Sequence, residues 1–360
     1  MKTCMTVASL VVALALLTTA VAEETYDVEA GFTGILQEQV VDEGYSTAAV
    51  PGDDFCGEPS CDIGPCCPGP SWCFTAGMLI MERSRPEDTT LVTDSYQTGG
   101  AELLNGNDLD FGFQGGFEFS AIRRNVHRTC WDLEARYVRI DGWEATRDPV
   151  YSEAGAVVQY IRPIGDTEFD GTISGSYDSH FDSFELNLRR PFCCGAYTFL
   201  AGFRFAELDE RAALTHNIDS GYELTTHDVR AINDLYGFQL GADARLWQCR
   251  CWSADTFLRA GVYSNRVVSN VAVTQTGGPD YVARAEDNHT SFLGELGVTA
   301  TYRLNPCTAL TAGYQLMWLE GVAVASDQVA VSDPIGGITA VDTGGSPFYH
   351  GAVISLEYCR

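Results

Sequence analysis

The chain has 360 residues, 49 acidic and 22 basic, with a formal net charge of −27. Its composition is that of a folded protein, which excludes disorder and collagen. Its acidity excludes nucleic acid as a partner, because phosphate binding needs clustered Lys and Arg. Lys2 is the one lysine, so almost all of the positive charge is arginine.

Residues 1–22 read as a secretory signal peptide. Lys2 supplies the positive start, Val7 to Leu17 is apolar, and Ala20-Val21-Ala22 places small residues before Glu23. The apolar run is too short to span a bilayer, and no later stretch reaches the roughly 18 apolar residues of a membrane helix. An exported chain of this kind enters a membrane only as a closed β-barrel. Twelve cysteines follow Cys4. An even number in an oxidising compartment points to disulfides. Cys56, Cys61, Cys66 and Cys67 lack the paired spacing of a zinc site and have no His among them, so no metal and no cofactor is expected.

Residues 23–70 hold 11 acidic and no basic residues and end in a Cys/Pro/Gly-rich stretch, CGEPSCDIGPCCPGP from Cys56. They read as an irregular, solvated periplasmic segment.

From residue 71 to 360 apolar and polar residues alternate with period two, the mark of strands with one greasy face. Phe111, Phe113, Phe117 and Phe119 oppose Asp110, Gln114 and Glu118. Tyr236, Phe238 and Leu240 oppose Gln239 and Asp243, and Leu296, Val298 and Ala300 oppose Glu295 and Thr299. The runs are about 10 residues or longer, the length of a tilted membrane strand rather than the five or six usual in soluble sheets. The spacing predicts ten strands, at about 72–82, 108–121, 131–143, 179–190, 196–208, 233–247, 254–268, 290–304, 308–320 and 347–358. Connections alternate between short ones and long acidic ones. The fold class is therefore all-β, a transmembrane antiparallel up-and-down barrel with short periplasmic turns and long extracellular loops. A further hairpin within 144–178 (AVVQYIRPI and DGTISGSYD) would make twelve strands. Projection of that stretch outside the barrel is the preferred reading.

Tryptophan favours the membrane interface, because its ring is apolar while its N–H seeks water. Trp72, Trp131 and Trp247 fall at predicted periplasmic ends, as does Trp252, while Trp143 and Trp318 fall at outer ends. They are expected to be interface anchors. Cys130, Cys193, Cys194, Cys249, Cys251 and Cys307 lie at short turns. Cys73 opens the first strand and Cys359 closes the last, so a Cys73–Cys359 disulfide would staple the seam. The other rim cysteines are candidates to pair with Cys56, Cys61, Cys66 and Cys67, which would hold the acidic segment at the periplasmic mouth.

The inward face should carry Glu118, Arg136, Glu185, Arg204, Asp243, Arg245, Arg259, Glu295 and Arg303. Hairpin geometry sets Glu118 near Arg136, Glu185 near Arg204 and Asp243 near Arg259. Such a lining either selects solutes by charge or fills the interior with ion pairs. Ten strands lie near the filled limit, since about eight leave room only for side chains and an open channel takes 16–18.

Several segments resemble the beta-barrel porin family of planctomycete bacteria: FLRAGVYSNR from Phe257, SFLGELGVTATYRL from Ser291, TALTAGYQLMWLEGVAVASDQ from Thr308 and, more weakly, FTAGMLIMERSRP from Phe74. The resemblance covers about 72–360. It implies an outer-membrane barrel and brings no catalytic or ligand residue. The chain departs from the family in lacking a tryptophan-rich first strand and in ending Tyr358-Cys359-Arg360.

The functional expectation is a small passive pore for ions or small solutes. The alternative is a closed barrel with a structural, adhesive or cation-binding envelope role, the acidic outer loops (DTEFDG from Asp166, EDNHTS from Glu286) being where divalent cations would sit. A second alternative, an outer-membrane hydrolase using His180, His216, His227 or His289, finds no nucleophile motif, and no enzyme is expected. Expected partners are outer-membrane lipid and the barrel-assembly machinery, with a homo-oligomer left open.

Overall fold

Ten alternating runs pair edge to edge into one closed antiparallel barrel in the computed structural model. The structure describes residues 71–86, 88–94, 102–152, 158–160, 171–218, 224–334 and 338–360. The expected signal peptide and the acidic segment 23–70 lie outside the described residues.

The barrel strands are β1 (Ser71–Arg83), β2 (Gln114–Arg124), β3 (Asp132–Ser152), β4 (Gly171–Phe192), β5 (Tyr197–Ile218), β6 (Leu224–Cys249), β7 (Trp252–Gln275), β8 (Tyr281–Asn305), β9 (Thr308–Glu320) and β10 (Phe348–Cys359). Each pairs with its neighbours in sequence, and β1 pairs with both β2 and β10. At that seam Cys73 stands opposite Cys359, and the two are disulfide-bonded. Trp72 N–H donates to the Arg360 carbonyl at 2.7 Å, and Arg360 N–H donates back at 2.8 Å.

The short turns 125–131, 193–196, 250–251 and 306–307 share one end of the barrel with Ser71 and Arg360. In barrels of this type that is the periplasmic end. Asn125 builds the first turn. It adopts a left-handed conformation (φ 50°), which Asn tolerates because its short side chain bonds locally. Its N–H donates to Asp132 at 2.8 Å and its side-chain oxygen accepts from Cys130 N–H at 3.0 Å.

Strand length divides the wall. β1, β2, β9 and β10 have 11–13 residues, close to the 9–11 a membrane strand needs. Strands β3 to β8 have 21–26. Their outward residues change character partway up. On β5, Phe199, Phe203 and Phe205 give way to Glu207, Asp209 and Arg211. On β6, read toward its outer end, Leu240, Phe238 and Tyr236 give way to Asp234, Arg230 and Asp228. The apolar stretch is well exposed, with Phe238 77% and Leu240 61% accessible. Such a band on the outside of a barrel is the surface that meets lipid. The wall above it stands clear of the membrane.

The extra height corrects the expected outer loops. Residues 209–218 and 224–232, read as loop from sequence, are strand, and only 219–223 connect β5 to β6. EDNHTS from Glu286 lies within β8. DGTISGSYD is no separate hairpin, because Gly171–Asp178 is the upper part of β4; of AVVQYIRPI, Val158–Tyr160 pairs with Thr90–Asp94 in a small outer sheet. DTEFDG lies outside the described residues but for Gly171. The predicted second strand also starts late. Leu109 and Phe111 are 1% exposed and turn inward before β2 begins at Gln114.

Trp143 requires a correction too. It is fully buried, not an interface anchor. A bulge falls between Ile140 and Trp143, where β3 advances three residues while β4 advances from Phe181 to Ser179. One extra residue exchanges the two faces of a strand. Gly142 supplies the positive φ of 76°. Inward positions are therefore Glu134, Arg136, Val138 and Ile140 below the bulge and Trp143 and Ala145 above it. The indole N–H donates to the Met81 carbonyl at 3.0 Å.

Candidate functional site

The site of interest is the lumen, which has three levels. At mid-height β2 to β5, β7 and β8 aim charged side chains at one another. The Arg136 guanidinium donates to Glu185 at 2.8 Å and to Glu295 at 2.9 Å, and it pairs with Glu118 at 3.2 Å. Arg204 pairs with Glu295 at 2.7 Å and donates through Nε to Ser183 at 2.7 Å. Gln239 donates to Glu185 at 2.6 Å, and Asn187 bridges Glu134 and Glu185 at 3.0 Å each. Arg204 and Glu185 are wholly buried, and the Arg136 side chain is 6% exposed. Three carboxylates (Glu118, Glu185, Glu295) face three guanidiniums (Arg136, Arg204, Arg259). Buried charges persist only when paired and hydrogen-bonded, because desolvation of a lone ion is costly.

Two of the three expected hairpin pairs are present: Glu118 with Arg136, and Glu185 with Arg204 at 3.7 Å. The third is not. Asp243 pairs with Arg189, which also holds Glu134 at 2.7 Å. Arg259 instead reaches Glu295 at 3.7 Å and Glu185 at 3.8 Å.

Below this layer the lumen is polar and open. A cavity of about 510 Å3 lies between the layer and the periplasmic rim, with Arg245, Asp255, Arg259, Thr299 and Arg303 among its walls. Arg245 pairs there with Asp255 at 3.2 Å. A smaller hollow of about 130 Å3 touches Glu118, Arg136 and Arg259. Trp72, Trp131, Trp247 and Trp252 surround this end on the outside, 39–50% exposed. Trp318 stands at the other border of the apolar band, half-buried beside Phe292 with 6.4 Å between rings.

Above the layer the lumen is filled with apolar groups. Met81, Ile140, Trp143, Phe181, Leu208, Leu235 and Tyr349 form one buried cluster. Tyr263 lies over Gly237, where an added Cβ would stand 2.8 Å from the ring; only glycine leaves it that space. The connection after β9 enters the barrel from outside. Its Val322, Ala323, Val324 and Ala325 are 0–3% exposed, and helix α1 (Ala325–Val331) follows.

Polar side chains of the wall hold this plug. Asn233 donates to the Ala323 carbonyl and accepts from its N–H, both at 2.8 Å. Ser291 donates to the Gly321 carbonyl at 2.5 Å. Ala325 N–H points to Tyr177 Oη at 3.1 Å and to Glu210 at 3.2 Å. Glu210 also takes the Tyr177 hydroxyl and the Arg83 guanidinium. Burial, then the adjacent Glu210 carboxylate, pushes the Tyr177 phenol well above its ordinary range, so it stays a donor. Sequence reasoning missed Arg83, Tyr177, Glu210 and Asn233 because it took most of their region for loop. The signal was parity: Glu210 continues the inward series Arg204, Ala206, Leu208.

The histidines are scattered. His180 faces outward, 3.4 Å from Asp141, the one His–carboxylate contact within 4.0 Å among the described residues. His216 and His227 point inward on β5 and β6, 2% and 6% exposed. Burial lowers both, and His227 falls to about 4, with His216 beside it adding to the shift. Among the described residues, three metal-ligating side chains converge only at Cys73, Cys359 and Glu357, where both sulfurs are already in a disulfide.

Comparison with solved structures finds other outer-membrane barrels at low similarity. The outer membrane protease OmpT of Escherichia coli matches at 10% identity and a TM-score of 0.41, over 81% of this chain and 97% of that one. The toluene transporter TodX of P. putida matches at 10% identity and 0.25, over 81% and 90%. The channel DcaP of Acinetobacter baumannii matches at 8% identity and 0.19, over 81% and 96%. Likenesses of this order carry nothing about activity. No curated protein matches the chain. The family model described as Putative beta barrel porin-7 (BBP7) matches residues 146–334. That is more than half of the sequence and includes six complete strands of the outer-membrane barrel, β4 to β9, with the plug; the protein belongs to this family.

Proposed function

We propose that the protein is a closed barrel of the outer membrane, a structural envelope component that raises a tall polar wall above the lipid and passes no solute in this state. The observation that carries this reading is the ionic layer. Arg136, Glu185, Arg204 and Glu295 meet from four strands, with side chains 0–6% exposed. A passive pore would instead expose such groups to a water column. The apolar core and plug above the layer act in the same direction, since a void between them would forfeit packing. The small pore expected from sequence is the reading this geometry supports less. A hydrolase is supported least, because His180 and Asp141 face outward beside Arg139 with no nucleophile motif in the chain.

The test is single-channel conductance of the oxidised protein in a planar bilayer, with folding confirmed by heat-dependent gel mobility. A folded, silent barrel is the expected result. Discrete open steps in the wild type would overturn the proposal and return the family's porin name to its literal sense.

A further inference from the structure

The outward arginines of the barrel fall into two groups. At and above the outer border of the apolar band they meet carboxylates. Arg139 has Asp141 at 2.6 Å, Arg211 has Asp228, Arg230 has Asp209 at 2.5 Å and Arg266 has Glu286 at 3.0 Å. Acid is plentiful at that border, where Asp182, Glu207 and Asp234 stand in one register row across β4, β5 and β6. At the periplasmic border the sign reverses. On β1 to β5 the outward charged residues there are Arg123 and Arg190, and no outward acid accompanies them. Neither forms an ion pair among the described residues.

Both stand on aromatic rings instead. The Arg123 guanidinium lies 5.3 Å from the centre of the Trp72 ring. That of Arg190 lies 5.0 Å from Trp131 and 5.5 Å from Phe192. The π face attracts the cation and limits its motion, while the N–H edge stays open to an acceptor. A planar fork of donors fits a phosphate through two parallel bonds. The rings are 39–45% exposed, and Trp marks the level where headgroups begin.

Beside these cations the surface is greasy. Arg123 opposes Leu133, and Leu133 opposes Leu188, two residues before Arg190. Leu133 and Leu188 are 44% and 52% exposed on the lipid side. One strand, β3, separates β2 from β4, which sets the two arginines about 10 Å apart across the sheet. A phosphate carried on acyl chains satisfies both the cations and the leucines. A peptide carboxylate would satisfy the cations alone.

We propose that Arg123 and Arg190 hold the phosphates of glycerophospholipids in the periplasmic leaflet, with the acyl chains along Leu133 and Leu188. The outer border, with its acids, has no such seat. The inference needs the outer-membrane barrel but not a closed lumen, so lipid retention and conductance can fail separately.

The test is native mass spectrometry of the oxidised, folded full chain in detergent, titrated with phosphatidylglycerol and, in parallel, with diacylglycerol of the same chains. Discrete phosphatidylglycerol adducts are expected on the wild type. Arg123→Gln with Arg190→Gln should weaken them roughly tenfold or more, the worth of one charge-assisted hydrogen bond. Diacylglycerol should not distinguish the variant from the wild type. Arg139→Gln, at the outer border, should leave phosphatidylglycerol binding unchanged. Heat-dependent gel mobility confirms folding, and Arg190→Gln alone, at an exposed position, serves should the double variant not fold. A wild type without adducts, equal retention by wild type and variant, or an equal loss of both lipids overturns the proposal. The first result would leave the arginines to water or to carboxylates of the chain itself.

Discussion

The two halves of the lumen are built from the same ten strands by opposite means. The periplasmic half is lined with Arg, Asp and Thr around an open cavity. The outer half is packed with Leu, Phe, Tyr and Trp around an inserted connection. The difference follows from what each half must exclude. The four short turns cannot reach inward, so the lower lumen keeps a polar, charged lining around its cavity. Above the membrane the described parts of the connections after β1 and β9 fold back in, and an apolar interior is the cheapest way to hold them. The ionic layer sits where the two regimes meet.

The sharpest way to break that division is to cut the layer itself. Arg204→Leu leaves Glu185 and Glu295 short of a buried cation, a loss of about 3–5 kcal/mol. The urea midpoint of the folded barrel in detergent should fall accordingly; an unchanged midpoint would mean water already reaches the layer.

Trp143→Ala tests the dry half. It empties the centre of the apolar cluster and removes the hydrogen bond to Met81, costing about 3–5 kcal/mol by cavity formation. The same change at Trp247, which is 50% exposed, should cost far less. Equal losses would place Trp143 at the lipid border after all.

Acidification probes the outer rim. The unfolded His227 takes up its proton near pH 6.5, whereas the folded one stays neutral down to about 4. Between those values the unfolded state binds more protons, so stability falls as pH drops from 6.5 to 4 and levels off below, by about 3 kcal/mol in all. Above pH 6.5 the group contributes nothing. His227→Gln should flatten this window in unfolding measurements.

The smallest expected effect sharpens the account of the plug. Asn233→Ala leaves Ala323 N–H and C=O without their partner, at about 1–3 kcal/mol. Hydrogen exchange should accelerate at Ala323 and Ala325 before it does at the barrel strands. Uniform acceleration would show that the plug and wall open together rather than separately.

Much of this was legible from residue alternation. Strand count and the inward placement of the charged candidates come from period two, which is local and needs no partner, while the seam disulfide comes from Cys73 opening the first strand and Cys359 closing the last. Trp143 was misread because one inserted residue, made affordable by Gly142, exchanges the faces of β3, and no periodicity announces a bulge. Arg259 was misassigned to Asp243 because pairs across a lumen depend on which distant strand faces which. The upper wall was taken for loop because its outward face is charged, and a strand in water carries no greasy stripe to mark it.

The sequence by itself determined a ten-stranded barrel with charge inside and an apolar belt outside, because side-chain parity and strand length are written residue by residue. Only the tertiary structure decided that ion pairs and an apolar cluster fill the lumen from mid-height outward. Whether Arg136 meets Glu185 and Glu295, and whether Val322 to Ala325 enter the mouth, depends on barrel closure bringing together groups as much as 159 positions apart, and close packing then leaves no room between them.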